Sequence, residues 1–156
     1  VIDRFPTEFK EYVTAHLQPV PRIRTGKKLA ETGIVTAMID ISDGIAGDLN
    51  HICIKSHVGA LLDQRQFPKP ADCHQIESIA KRPFHELALH GGEDYELLFT
   101  VKSDADTSVL ESIAEERNIK ITNIGIIQPS ENGFSMITST GTQKPVQPKG
   151  WDHFNR

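Results

Sequence analysis

The sequence is poor in the features that most readily betray a function. Its two cysteines, Cys53 and Cys73, lie far apart, with neither metal-ligand spacing nor a repeated framework around them. That pattern fits a reducing compartment and ordinary free thiols, with no local sign of thiolate activation. Basic residues are not in excess: charged residues make up 24% of the chain and the formal net charge is -4. The long-range attraction to a phosphate backbone that nucleic-acid binders show is missing. Long apolar runs are missing too, because the longest stretches, residues 34–41 and 97–101, fall far short of a membrane span, and the first residues contain no apolar signal core. The chain reads as soluble and cytoplasmic, with no nucleic-acid or membrane partner. No GxxxxGK[ST] or GxGxxG loop occurs, so any nucleotide must be held by other means. The seven histidines include no His-x-x-x-His pair, and Ser42 lacks the Gly-x-Ser-x-Gly setting of a hydrolase nucleophile.

What is present is enough for one domain. A length of 156 residues with 38% hydrophobic content can bury a sizeable core. The sequence starts at valine, and Val1-Ile2-Asp3-Arg4-Phe5 carries no targeting pattern, so the start is expected to be a cut point in something larger.

Periodicity and breakers predict the elements. A helix is expected over residues 7–17, ended by Pro19 and Pro21, which lack an amide hydrogen. A second, over residues 26–32, would close at Gly33. The β-branched run 34–41 predicts a buried strand that passes straight into Ser42-Asp43-Gly44, followed by an amphipathic helix with Ile45, Leu49 and Ile52 inward and Asp48 on its polar side. Further strands are expected over residues 58–62, 95–101, 119–127 and 134–138, and helices over 73–80, 83–89 and 103–118. The proline-bearing tail reads as irregular until Trp151-Asp152-His153-Phe154, whose aromatics suggest docking onto the body.

Two acidic, glycine-punctuated turns hold the candidate chemistry. Asp40, Ser42 and Asp43 sit between a strand end and a helix start, where α/β sheets tend to place ligands. Two carboxylates and a hydroxyl there would offer the oxygen ligands that hard cations prefer, and the amide hydrogens beside Gly44 could meet a phosphate oxygen once a cation screens the acids. The plainer use of Ser42 or Asp43 is to cap the helix, the commoner role of these residue types. Asp40 is harder to explain that way, because a carboxylate in an apolar strand needs a partner. In Gly91-Gly92-Glu93-Asp94, two glycines before two acids permit a close backbone approach, with Glu93 free to accept from a ligand; a solvated turn is the alternative.

Taken in order, Ile39-Asp40-Ile41-Ser42-Asp43-Gly44-Ile45, His90-Gly91-Gly92-Glu93-Asp94-Tyr95-Glu96-Leu97 and Gly150-Trp151-Asp152-His153-Phe154 resemble the thiamine-monophosphate kinase family, as does Leu17-Gln18-Pro19-Val20-Pro21-Arg22. The resemblance runs across nearly the whole chain and corresponds to the carboxy-terminal half of such enzymes. It implies an α+β layered fold, a mixed sheet flanked by helices as in aminoimidazole-ribonucleotide synthetase relatives. It also implies an ATP- and Mg2+-dependent phosphorylation of thiamine monophosphate to thiamine diphosphate. Residues 1–156 would then be one carboxy-terminal domain of a two-domain kinase, homodimeric when full-length, that works with its own amino-terminal ATP-binding domain and has little activity alone. By the resemblance, Asp40 and Asp43 match magnesium ligands, Ser42 an ATP contact, and Glu93 and Trp151 contacts to the substrate. His90 stands where a small residue is expected. Two other readings remain open: a superfamily member acting on a different acceptor, of the aminoimidazole-ribonucleotide or selenophosphate synthetase type, and a catalytically silent ligand-binding module.

Overall fold

A computed structural model describes residues 9–148. Its centre is helix α3 (Ile45–Ser56), which buries Ile45, Ala46, Leu49, Ile52 and Cys53 along one stripe. That spacing is the 3.6-residue period read from the sequence, and each large apolar side chain so covered contributes on the order of 1.5–3 kcal/mol. The helix packs on strand β1 (Val35–Asp40), strand β2 (Val58–Asp63) and helix α5 (Phe84–His90). It ends at His57, whose left-handed backbone closes it through N–H bonds to Cys53 and Ile54.

The strands divide between two sheets. β1 pairs antiparallel with β3 (Leu97–Val101), placing Asp40 opposite Leu97 and Ile39 opposite Leu98. Ala37, Ile39 and Leu98 belong to the core, and helix α2 (Ile23–Glu31) lies over the other face, with Gly26 against Met38 and Leu97. The second sheet is mixed, in the order β4-β2-β5-β6. There β2 runs antiparallel to β4 (Gly125–Pro129) and parallel to β5 (Phe134–Ile137), which pairs in turn with β6 (Gln143–Pro145). The remaining helices are α1 (Lys10–Leu17), α4 (Cys73–Ala80) and α6 (Ser108–Arg117). The mixed α/β class expected from the resemblance is therefore found, with its strands split between two sheets.

Several boundaries differ from expectation, each for a local reason. α2 starts at Ile23, directly after Pro21-Arg22, rather than at Gly26. The strand expected from Tyr95 begins at Leu97, because Glu93 and Tyr95 adopt positive φ angles of 70° and 51°, incompatible with an extended chain. β4 starts at Gly125, not Ile119: the Asn123 side chain accepts from the Gly125 N–H and makes a turn where alternation suggested a strand. Asp106 makes the same kind of turn with the Ser108 N–H, so α6 begins later than residue 103. α1 buries none of its residues, despite the apolar spacing of Tyr12, Val13 and Leu17. It is attached by polar contacts instead, among them a hydrogen bond from the Tyr12 hydroxyl to Asp72. Both cysteines are free and buried, and burial pushes their thiols up. Among the described residues no helix is long and apolar enough to cross a membrane.

Candidate functional site

The first acidic turn is built from the inside of α3 outward. β1 stops at Asp40, Ile41 turns into the core, and the Ser42 and Asp43 N–H groups donate to Asp48 Oδ2 at 2.9 and 3.0 Å. Asp48 is 2% exposed, so the sequence reading that put it on the polar side of the helix is corrected: one turn into α3, its carboxylate reaches back and fixes the loop. The N-cap residue is Gly44, which has no side chain to cap with, and neither Ser42 nor Asp43 caps the helix. The Ser42 hydroxyl and the Asp43 carboxylate are thereby left for other work.

The second turn is fastened to the first through the main chain. Ile41 N–H donates to Glu96 O at 2.9 Å, Tyr95 N–H to Ile41 O at 2.8 Å, and Glu93 N–H to Ser42 O at 2.9 Å. These bonds carry the β1–β3 pairing past the strand ends and lay the two turns side by side. The approach needs glycine on both sides. A Cβ on Gly44, whose φ is 91°, would stand 2.7 Å from Leu89 O and 2.8 Å from Gly91 O, and one on Gly92 would stand 2.4 Å from Ser42 O.

Electrostatics then orient the exposed groups. Arg22 grips Glu96 with both prongs, Nε to Oε2 at 2.9 Å and Nη2 to Oε1 at 2.6 Å, which raises the guanidinium pKa further. His16 of α1 lies 3.6 Å from the Glu93 carboxylate. Asp94, at the surface yet hemmed in by protein, has its carboxyl pKa pushed up by desolvation and then by neighbouring Glu96, with His16 opposing. Asp40 is exposed at the strand end and lines a cleft of about 420 Å³ with Pro19, Arg22, Ile23, Tyr95 and Leu97.

The structure thus brings Asp40, Ser42, Asp43 and Glu93 to one end of the β1–β3 pair, whereas Trp151 and the docking expected of the aromatic tail lie outside the described residues. The partner that Asp40 seemed to need is solvent, because it ends its strand instead of sitting within it. As a donor set, Asp40, Ser42 and Asp43 suit a hard cation: they offer only oxygen, and their side chains make no hydrogen bond or ion pair with other described residues. Among the described residues no group of three or more His, Cys, Asp or Glu side chains stands ready to hold a metal. Sequence reading missed Asp48 and His16 as site builders. For Asp48 the available signal was an acid in the first turn of a helix whose cap is glycine.

A family model described as AIR synthase related protein, C-terminal domain, matches residues 3–137. The thiamine-monophosphate kinase of Buchnera aphidicola subsp. Acyrthosiphon pisum is 34% identical over 145 residues, covering 92% of this chain and 42% of its own length. The chain thus spans well under half the length of the curated relatives it matches. Among solved structures, AaThiL complexed with AMPPCP and TMP superposes with a TM-score of 0.73 at 30% identity, over 96% of this chain and 43% of that one. The HypE-HypF complex aligns with a TM-score of 0.68 at 21% identity over 82% of this chain and 41% of that one, a likeness of fold alone.

Proposed function

Because this chain belongs to the family AIR synthase related protein, C-terminal domain, matched over residues 3–137, we propose that it forms the carboxy-terminal wall of a cytoplasmic thiamine-monophosphate kinase. The reaction is transfer of the γ-phosphoryl group of ATP to thiamine monophosphate, giving thiamine diphosphate and ADP. The observation that carries this reading is the backbone splice between the two acidic turns, which sets Asp40, Ser42 and Asp43 beside Glu93. Two stations at one strand end are what a donor and an acceptor of a phosphoryl group require. The likeness to AaThiL complexed with AMPPCP and TMP supports the choice of ligands.

In this scheme Asp40 and Asp43 hold magnesium from one side, and Ser42 contacts ATP. Magnesium bound there would neutralise charge on the phosphate oxygens. Glu93 and Trp151 orient thiamine monophosphate. An oxygen of its phosphate, largely ionised near neutral pH with a second pKa of about 6, attacks the γ-phosphorus while the bond to the β–γ bridging oxygen breaks. No side-chain nucleophile or strong general base is required, and the contribution of this chain is positioning. An amino-terminal domain of the same polypeptide supplies the opposite wall, in a homodimer.

The test is turnover of the full-length enzyme. Asp43→Asn should lower kcat by about 100-fold, the scale of losing one group that stabilises transferring charge. Trp151→Ala should instead raise the KM for thiamine monophosphate about tenfold with less effect on kcat. Unchanged turnover of the Asp43 variant at saturating magnesium would overturn the assignment.

A further inference from the structure

On the proposed function Glu93 receives the acceptor substrate, yet little within its own turn fixes its carboxylate. The backbone is set by the Glu93 N–H bond to Ser42 O and by a φ of 70°. The side chain beyond it is largely exposed and rich in rotamers. Among the described residues its carboxylate meets one charged group, His16 Nε2 at 3.6 Å.

His16 comes from α1, an element whose place is not explained by burial. α1 buries none of its residues and is tied at its other end by Tyr12, whose hydroxyl donates to Asp72 at the head of α4. From His16 the chain runs through Pro19 and Pro21, which limit its freedom, to Arg22 and its two-pronged grip on Glu96 at 2.9 and 2.6 Å. Residues 16–22 therefore meet the second turn at two points, Glu93 and Glu96, with Asp94 between them. Pro19, Pro21 and Arg22 also line the cleft of about 420 Å³ that Asp40, Tyr95 and Leu97 border. A cation in the last turn of a helix is favourable in itself, which accounts for a histidine at this position. It does not account for the imidazole lying against Glu93, nor for a linker that returns to the same turn at Arg22.

We propose that residues 16–22 clasp the second turn and that His16 is a positioning residue, holding the Glu93 carboxylate where it accepts from the acceptor substrate. The ligand class follows from the carboxylate: a group that presents an N–H or a positive charge, as an amino-substituted heteroaromatic cation does. The inference rests on the kinase reading for the role of Glu93 and adds the residue that aims it. A carboxylate aimed in advance spares the ligand the cost of freezing its rotamers, so the gain falls on binding of the acceptor and not on phosphoryl transfer.

Steady-state kinetics of the full-length enzyme test this. His16→Ala should raise the KM for thiamine monophosphate about fivefold, while kcat and the KM for ATP stay within about twofold. His16→Gln, which keeps an N–H donor, should restore most of the loss. In a Glu93→Gln background His16→Ala should add little, because both residues act through one contact. The urea midpoint of His16→Ala should match that of the parent, as expected of an exposed contact. If Glu93→Gln alone leaves the KM for thiamine monophosphate unchanged, the kinase reading of this turn falls, and the clasp falls with it. If Glu93→Gln raises that KM but His16→Ala does not, or if the two effects multiply in the double variant, the positioning role alone is overturned. A fall in kcat with both KM values disturbed overturns it too, because His16 would then act on the fold.

Discussion

The two acidic turns lie side by side, yet they are held by opposite means. The Asp40–Gly44 turn takes its shape from a buried carboxylate, Asp48, which accepts from two of its N–H groups, and its one left-handed residue is a glycine. Among the described residues no buried carboxylate holds the Gly91–Asp94 turn as Asp48 holds the first. Glu93 and the adjoining Tyr95 hold positive φ angles without being glycine, and they are kept there by bonds to the Ile41 and Ser42 carbonyls and by the Arg22–Glu96 pair. The first turn is self-supporting, and the second borrows its geometry from the first. Damage to the first turn should therefore reach both, while changes in the second should stay local.

The largest effect is expected from Gly44→Ala. The new methyl would meet backbone at 2.7 and 2.8 Å and would sit at φ 91°, so neither rotamer change nor relaxation of a side chain can relieve it. Overpacking and backbone strain together should cost about 3 kcal/mol or more, read as a lower urea midpoint. An unchanged midpoint would show that the two turns do not abut as described. Next comes Asp48→Ala, which leaves the Ser42 and Asp43 amides without their acceptor and should cost about 2–4 kcal/mol. Asp48→Asn, which retains one oxygen, should cost less. The sharper readout is amide exchange. If the second turn borrows its shape, the Glu93 and Tyr95 amides should exchange faster in the Asp48→Ala variant, although neither bonds to Asp48. Acceleration confined to Ser42 and Asp43 would break the comparison.

The contrast also explains what could be read in advance. α3, β2 and β5 were legible because burial on one face imposes a period, and the motif residues were legible because Gly-Gly and Ser-Asp-Gly are unusual strings. Tyr95 was misread as a strand residue because its β propensity is real and only a tertiary bond from its amide to Ile41 overrides it. Asp48 was misread because a charged residue beside polar neighbours on a helix normally faces water. The pairing of the two turns rests on hydrogen bonds between residues about fifty positions apart in sequence, which no local pattern encodes.

A smaller effect, of opposite sign, is expected from Glu93→Gly. Glycine adopts φ 70° freely, so the variant sheds the strain of a left-handed glutamate and loses only an exposed contact with His16, itself worth little. Added unfolded-state entropy offsets part of the gain, leaving a stabilisation of no more than about 1 kcal/mol. On the proposed function, the same variant should bind thiamine monophosphate more weakly. A protein more stable yet poorer at binding is the signature of strain retained for a ligand contact. A destabilised variant would mean that the carboxylate, not the backbone, shapes the turn.

The smallest effect concerns charge rather than backbone. Desolvation and the nearby Glu96 raise the Asp94 pKa above its ordinary 3.8 in the folded chain. A carboxyl whose folded pKa is raised binds its proton more tightly in the fold than in the unfolded chain. Its ionised form therefore opposes folding, fully so above the folded pKa; the penalty fades as pH falls through the folded pKa towards the unfolded one and is gone below the unfolded value. Asp94→Asn removes the ionised form altogether, so the variant should exceed the parent chain slightly in stability at neutral pH and converge with it in acid. Urea midpoints of both proteins from about pH 3 to 7 would reveal the convergence. Parallel curves would mean that Asp94 is as well solvated as an unfolded aspartate. Convergence would instead show that the second turn stores electrostatic as well as backbone strain, both held in place by a neighbour whose own charge, Asp48, is bonded on the inside.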